Sequence, residues 1–279
     1  MKNIDDLLKD ALSPAEEMSE DLKAKIMKEV SEEADLTKKT SVSLSSRRKR
    51  FSAAAVLAAI VLMAISVTAF AAWKYLSAKD VADKLVDDKL TSAFTNQDTL
   101  ISGEVQSCGG YDIALLGLVS GEKISDYLIT HNGELISDNT YAVVAISRTD
   151  GTPMPDTSSD AYGEVDFLVS PYFEGLNPAE YNIFALSGGY SAVVENGIQY
   201  RIMSAENIEV FADRKIYLGV SDGTFYNREA YIYHEDTGLI SRNENYEGVN
   251  ALFILPIDPA KANSDKANAI LEKHHHPGL

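Results

Sequence analysis

The spacing of apolar residues changes character several times along this chain of 279 residues, and each change predicts a different element. Near the start, Ile4, Leu7, Leu8, Ala11 and Leu12 recur at the spacing of one helix face. Ser13-Pro14 interrupts that face, and Met18, Leu22, Ile26 and Val30 then follow four apart, with Ser19 placed as an N-cap. This pattern predicts a short amphipathic helical segment over 1–35. A polar tether ("KKTSVSLSS") leads to a basic block over 36–50. From Phe51 to Trp73 there are 23 residues without a charge, which predicts a transmembrane helix over 51–75. Beyond it, Val81, Leu85, Val86, Leu90 and Phe94 form another helical stripe. Ser77 and Asp80 stand in capping-box positions, so a juxtamembrane helix is expected over 76–97.

The rhythm then shortens to that of strands. Runs rich in Val, Ile, Tyr and Phe occur at 111–119, 140–147, 164–173, 181–186, 190–194, 198–204, 208–212, 215–221, 230–235 and 251–257, each bounded by turn residues. Asn196-Gly197 between two such runs predicts a type I′ hairpin, because both central positions of that turn need a positive φ. Asp236-Thr237-Gly238 predicts a second hairpin. Strands that follow one another without alternating helices indicate a mainly β fold, an antiparallel sandwich or barrel-like domain over 98–273 with flanking helices. A last helix is expected from Pro259 to Lys273, with Asp258 as N-cap, before a disordered tail at 274–279.

About 20 helical residues suffice to cross a hydrocarbon layer of about 30 Å, so the apolar run is long enough to span a bilayer. Arg47, Arg48, Lys49 and Arg50 abut its start and are expected to hold that end in the cytoplasm, and Trp73 sits at the far end with Tyr75, where amphipathic rings favour the lipid interface. Two other readings stay open: a buried core helix, or a signal cleaved near Ala69–Ala71, where small residues flank Phe70. The single span places the N-terminus in the cytoplasm and the C-terminal domain outside the cell membrane.

Charge divides at the same point. Residues 1–50 carry 11 Lys/Arg and 11 Asp/Glu, whereas residues 74–279 carry 14 against 31, a net of −17. An acidic surface of that size repels phosphate, so no nucleic acid is expected as a partner. Cys108 is the single cysteine, which excludes an intrachain disulfide, and it reads as a small packing residue.

No zincin, nucleophile-elbow or P-loop pattern is present, so neither an enzyme nor a cofactor is expected. His131, His234 and the run His274–His276 lack the spacing of a fixed metal site. Asp150, Asp156, Asp160, Glu164 and Asp166 lie in one acidic loop that could gather oxygen ligands for Ca²⁺, without the spacing of an EF-hand loop; a solvated connection is the other reading.

Several segments carry a resemblance: "YLSAKDVADKL", "YDIALLGLVSGEKISDY", "YAVVAISRTDGTPMPD", "VSPYFEGLNPAEYNI", "ADRKIYLGVSDGTFYNREAY" and "NALFILPIDPAKANSDKA". From about Tyr75 to the end, the chain resembles a family of single-span membrane proteins of Gram-positive bacteria that are often described as anti-sigma-factor-like. The outer domain of that family has no assigned function, and no catalytic residues come with it. The resemblance implies a membrane sensor or regulator whose cytosolic partner is a sigma factor. The N-terminal segment is shorter than a full helical sigma-binding domain and lacks a zinc-binding His/Cys set. Two short amphipathic helices cannot be stable alone, so their stripes need a partner, a second copy or the membrane surface, or else pair with each other as a hairpin. The stripe of Ile4, Leu7, Leu8, Leu12, Leu22, Ile26 and Val30 is the expected partner-binding face. An anchored cell-envelope binding module with no transcriptional role is the alternative. In both readings the lipid bilayer and an unidentified envelope ligand are partners.

Overall fold

The structure is a computed structural model that describes residues 74–274, apart from 97, 98, 128 and 132. The predicted N-terminal helices, the basic block, the apolar run as far as Trp73 and the C-terminal tail from residue 275 lie outside the described residues. No described helix is long and apolar enough to cross a membrane.

The described part is mainly β, and its sheets are antiparallel. Two short helices come first, α1 (Ala78–Lys84) and α2 (Asp88–Ala93). There follow β1 (Leu100–Ile101), β2 (Val105–Cys108), β3 (Tyr111–Glu122), β4 (Ile129–His131), β5 (Glu134–Ile136), β6 (Asp138–Arg148) and β7 (Phe167–Phe173). The chain continues with β8 (Gly189–Glu195), β9 (Ile198–Glu206), β10 (Ile216–Asp222), β11 (Tyr231–Tyr233), β12 (Ile240–Arg242), β13 (Asn250–Leu255) and α3 (Ser264–His274). The larger sheet has six strands in the order β1-β3-β6-β9-β8, with β2 also paired to β3; the smaller has three, β13-β10-β7. The pairs β4–β5 and β11–β12 are separate hairpins.

Alternation along the strands builds the layers. On β6, Ala142, Val144 and Ile146 join one apolar cluster and Tyr141, Val143 and Ala145 join another. The first cluster also holds Phe173, Leu218, Val220 and Phe253, so it lies between the two sheets. The second holds Val81, Leu90 and Phe94, so α1 and α2 cover the opposite face of the larger sheet. A third cluster, Tyr172, Tyr217, Ala230, Tyr231 and Ile240, packs the β11–β12 hairpin on the outer face of the smaller sheet. Burial on both faces explains why β6 reads as a continuous apolar run. Each fully buried aliphatic side chain there contributes about 1.5–3 kcal/mol. A bulge at Leu115/Gly117 turns two successive residues of β3 toward the helices. A Cβ on Gly117 would lie 3.0 Å from the Ala78 methyl, so glycine lets α1 settle close.

Several expectations are met. The β8–β9 hairpin turns at Asn196 (φ 52°) and Gly197 (φ 75°). The second hairpin turns through Gly238 (φ 70°). Ser77 and Asp80 form the reciprocal capping box on α1. Replacing Ser77 by Ala is expected to cost about 1 kcal/mol, read as a lower unfolding midpoint in denaturant. Pro171 lies inside β7, which the small sheet accommodates because β7 is its edge strand and one row of backbone groups there needs no N–H.

Other expectations are corrected. The helix over 76–97 is two helices, because Val86 takes φ 59° and is 77% exposed while Asp87 caps α2 by accepting from the Leu90 N–H. Residues 181–186 form turns instead of a strand. Asn177 and Asn182 bond neighbouring backbone there, and Ser170 Oγ accepts the Ile183 N–H at 2.9 Å. The strand expected at 208–212 is a 3₁₀ turn, Ile208–Phe211, capped by Asn207. The last helix is divided: Asp258 and Pro259 start a 3₁₀ turn as expected, but α3 begins only at Ser264. Tyr75, read as an interfacial ring, is buried in the helix-side cluster instead.

Candidate functional site

The described chain starts firmly clamped. Lys74 Nζ pairs with Asp112 at 3.1 Å, the Tyr75 and Ser147 hydroxyls share a hydrogen bond at 3.3 Å, and the Leu76 N–H donates to the Tyr200 hydroxyl at 3.1 Å. Residue 74 is therefore already part of the β domain, immediately after the apolar run.

At another place, side chains converge as a ligand site would require. β9 carries Arg201, whose side chain is 1% exposed. Its guanidinium donates to the Asp166 carboxylate and the Phe167 carbonyl oxygen, and lies over the Tyr190 ring at 4.2 Å and near the Phe167 ring at 5.7 Å. With its amide oxygen turned inward, Gln199 accepts from the Arg201 Nε–H at 3.3 Å and from the Tyr162 hydroxyl at 3.1 Å. The buried charge is thus matched, as burial demands. Above it opens a cleft of about 120 Å³ walled by Asp166, Ile183, Phe184, Gly189, Tyr190 and Thr224. Three aromatic rings crowd this corner while remaining exposed: Tyr190 at 49%, Phe184 at 51% and Phe225 at 72%. The Phe184 and Phe225 centroids are 5.6 Å apart at 36°.

Exposed aromatic rings beside a small cleft with polar groups at its floor are what a binding surface offers. A structural role would show as cost: removing core rings costs about 3–5 kcal/mol each. Phe184→Ala combined with Phe225→Ala is expected to cost only about 1 kcal/mol, the scale of a ring–ring contact, in thermal or denaturant unfolding.

The remaining candidates among the described residues each bond to their own neighbours. Asp150 accepts from Thr152 and Asp156 from Ser158, and these hydroxyl bonds hold both carboxyls below their ordinary range. Asp166 turns away to Arg201. Among the described residues, no three His, Cys, Asp or Glu side chains stand together as a metal site. His234 Nε2 meets Ser241 Oγ at 3.0 Å on the exposed hairpin. Burial pushes the Cys108 thiol up, away from thiolate chemistry, and Sγ accepts from the Asn250 N–H at 3.4 Å. Asp87 is buried with the Leu90 N–H, the Asp126 N–H and the Ser125 hydroxyl as donors, which is a helix cap tied to a loop. A wider cavity of about 620 Å³ has Tyr75, Ala78, Phe94, Thr95 and Thr99 in its wall, close in sequence to residues 97 and 98, which lie outside the described set.

The predicted partner face (Ile4, Leu7, Leu8, Leu12, Leu22, Ile26, Val30) and the orientation residues (Arg47, Arg48, Lys49, Arg50, Trp73) lie outside the described residues. Sequence reasoning missed Phe184, Tyr190, Phe225 and Arg201. The one available signal was a cation in the middle of the apolar run "IQYRIMS". The chain matches no family model, and no curated protein or solved structure matches it.

Proposed function

We propose that this chain is a single-pass membrane sensor of the anti-sigma-factor-like kind. The apolar run anchors it with the N-terminus in the cytoplasm, and the β domain outside binds an envelope ligand. The inner stripe from Ile4 to Val30 docks a cytosolic partner, a sigma factor. The observation that carries this reading is the clamp at Lys74, Tyr75 and Leu76. A passive tether would leave slack between anchor and domain, whereas here the first residue after the uncharged run already bonds to β3. A ligand that shifts the β domain therefore has a short, stiff route to the anchor.

The test is recovery of the full-length chain from membranes, with and without residues 1–35, followed by identification of co-purifying cytosolic proteins. The proposal expects a sigma factor retained by the full chain and lost with the deletion. It also expects deletion of 51–73 to move the protein to the soluble fraction. A chain that stays soluble when intact, or retains no cytosolic protein, refutes the sensor. The aromatic-rimmed cleft also favours a second reading, an anchored binding module, which predicts membrane retention and ligand binding with no cytosolic partner.

A further inference from the structure

Strand β8 is an edge of the six-stranded sheet. Its type I′ turn makes Glu195 and Ile198 a hydrogen-bonded pair, so residues 193, 191 and 189 also bond β9. The backbone N–H and C=O of Tyr190, Ala192 and Val194 must then point away from the sheet. Among the described residues none of those groups has a hydrogen-bond partner. Native edges are usually protected by proline, a bulge, an inward charge or a cover. β8 has no proline or bulge, and its one charged side chain, Glu195, is tied to Lys84 at 3.0 Å at the turn.

A cavity lies beside this edge on each face of the sheet. On the helix side, a space of about 70 Å³ is walled by Asp87, Leu90, Tyr127, Tyr141, Ser191 and Ile202. On the other side is the cleft of about 120 Å³ at Tyr190. Both flank the first half of β8, through Ser191 and Tyr190. A strand added to an edge places successive side chains on opposite faces, so two adjacent residues would meet the two cavities.

We propose that β8 binds an extended, basic peptide segment by strand addition, with backbone bonds to Tyr190, Ala192 and Val194 and adjacent side chains in the two cavities. The charge of the domain chooses this occupant: residues 74–279 carry 31 acidic against 14 basic side chains, while Asp87 and Asp166 in the two cavity walls are already held by their own partners and leave the attraction to the field of the whole domain. A second copy bearing the same −17 would be repelled. The inference rests on the ligand-binding part of the proposed function and gives that ligand its chemistry.

The experiment selects short random peptides displayed on phage against the full-length chain in detergent, then synthesises the consensus with single backbone N-methyl groups along its length. Strand addition expects enrichment of Lys and Arg, and affinity losses of about tenfold at every second N-methyl position, since a hydrogen bond and the desolvation of its partner are at stake. Ala192→Pro removes one outward N–H while leaving the bonds to β9, and is expected to lose binding by about the same factor. The N-methyl series changes only the peptide, so it decides the matter even if that variant folds poorly. No enriched peptide, N-methyl losses without alternation, or light scattering that shows a dimer dispersed by Ala192→Pro would each overturn the proposal. A chain that selects no peptide yet retains its cytosolic partner overturns this inference alone; one that selects peptide but retains no such partner overturns only the sensor.

Discussion

Arg201→Ala is expected to lower the stability of the β domain by about 3 kcal/mol, the lower end of what breaking a buried ion pair costs. The lower end applies because the Arg201 side chain is 1% exposed but its partner Asp166 is 23% exposed, so water can reach the carboxylate left behind. The loss has several parts. The Phe167 carbonyl oxygen and the Gln199 amide lose their donor, and the Tyr190 ring loses the flat cation packed on it. For a domain of about 200 residues this corresponds to a midpoint lower by roughly 6–12 °C. Near-ultraviolet dichroism of the 14 tyrosines follows the transition. A double change, Arg201→Met with Asp166→Asn, is expected to recover much of the loss, since an apolar side chain of similar length needs no counter-charge. A single variant that melts within a degree or two of the parent would mean that neither the ion pair nor the packing of the Arg201 stem contributes net stability, the desolvation of the charge having offset both. The same residue links fold and site: it supports Tyr190 from below, so its loss should weaken any ligand of the cleft as well.

How much of this was legible in the sequence depends on where the deciding interaction lay. β6 and the Asn196-Gly197 hairpin were readable because their signals are local: a short unbroken run rich in Val and Ile, or a turn that demands positive φ. The segments 181–186 and 208–212 have the composition of strands but not their structure. In the first, Ser170 on β7 takes the Ile183 N–H that a ladder would have used. In the second, Asn207 caps a tight turn that buries Ile208 and Phe211. Both outcomes were decided by long-range packing or by side-chain caps that a periodicity count cannot weigh. Val86 shows the same limit within a helix stripe, where the need to seat Asp87 under the 125–126 loop outweighs the heptad-like spacing. The cleft was invisible for a different reason. Phe225 is remote in sequence from Phe184 and Tyr190, and only the meeting of a turn, a sheet edge and the chain beyond β10 brings the three rings to one corner.

Gly109→Ala is the second large effect, expected to cost about 2–4 kcal/mol from left-handed strain and overpacking together. Gly109 takes φ 56°, and a Cβ there would lie 2.5 Å from the Gly248 carbonyl carbon and 2.6 Å from the Val249 nitrogen. These are backbone atoms, so no rotamer change relieves the clash; either the β2–β3 turn or the 243–249 loop must move. Cys108 is next in sequence, and its sulfur accepts from the N–H of Asn250, the first residue of β13 directly after that loop, which makes its thiol a reporter of the contact. In the parent, burial pushes the thiol up, so disulfide-reagent labelling at pH 8 should be slower than for free cysteine and should accelerate as the pH rises toward the shifted value. The sign for stability agrees. A thiol favoured by the fold contributes fully below the unfolded pKa of about 8.5, and that contribution is lost as pH climbs through the higher folded value. In the variant, displacement of the loop should bring Cys108 labelling several-fold closer to the free rate while the tyrosine dichroism stays native. Labelling and midpoint both unchanged would show that the β2–β3 turn and the 243–249 loop do not bear on one another, although a Cβ at 109 would meet Gly248 and Val249 backbone.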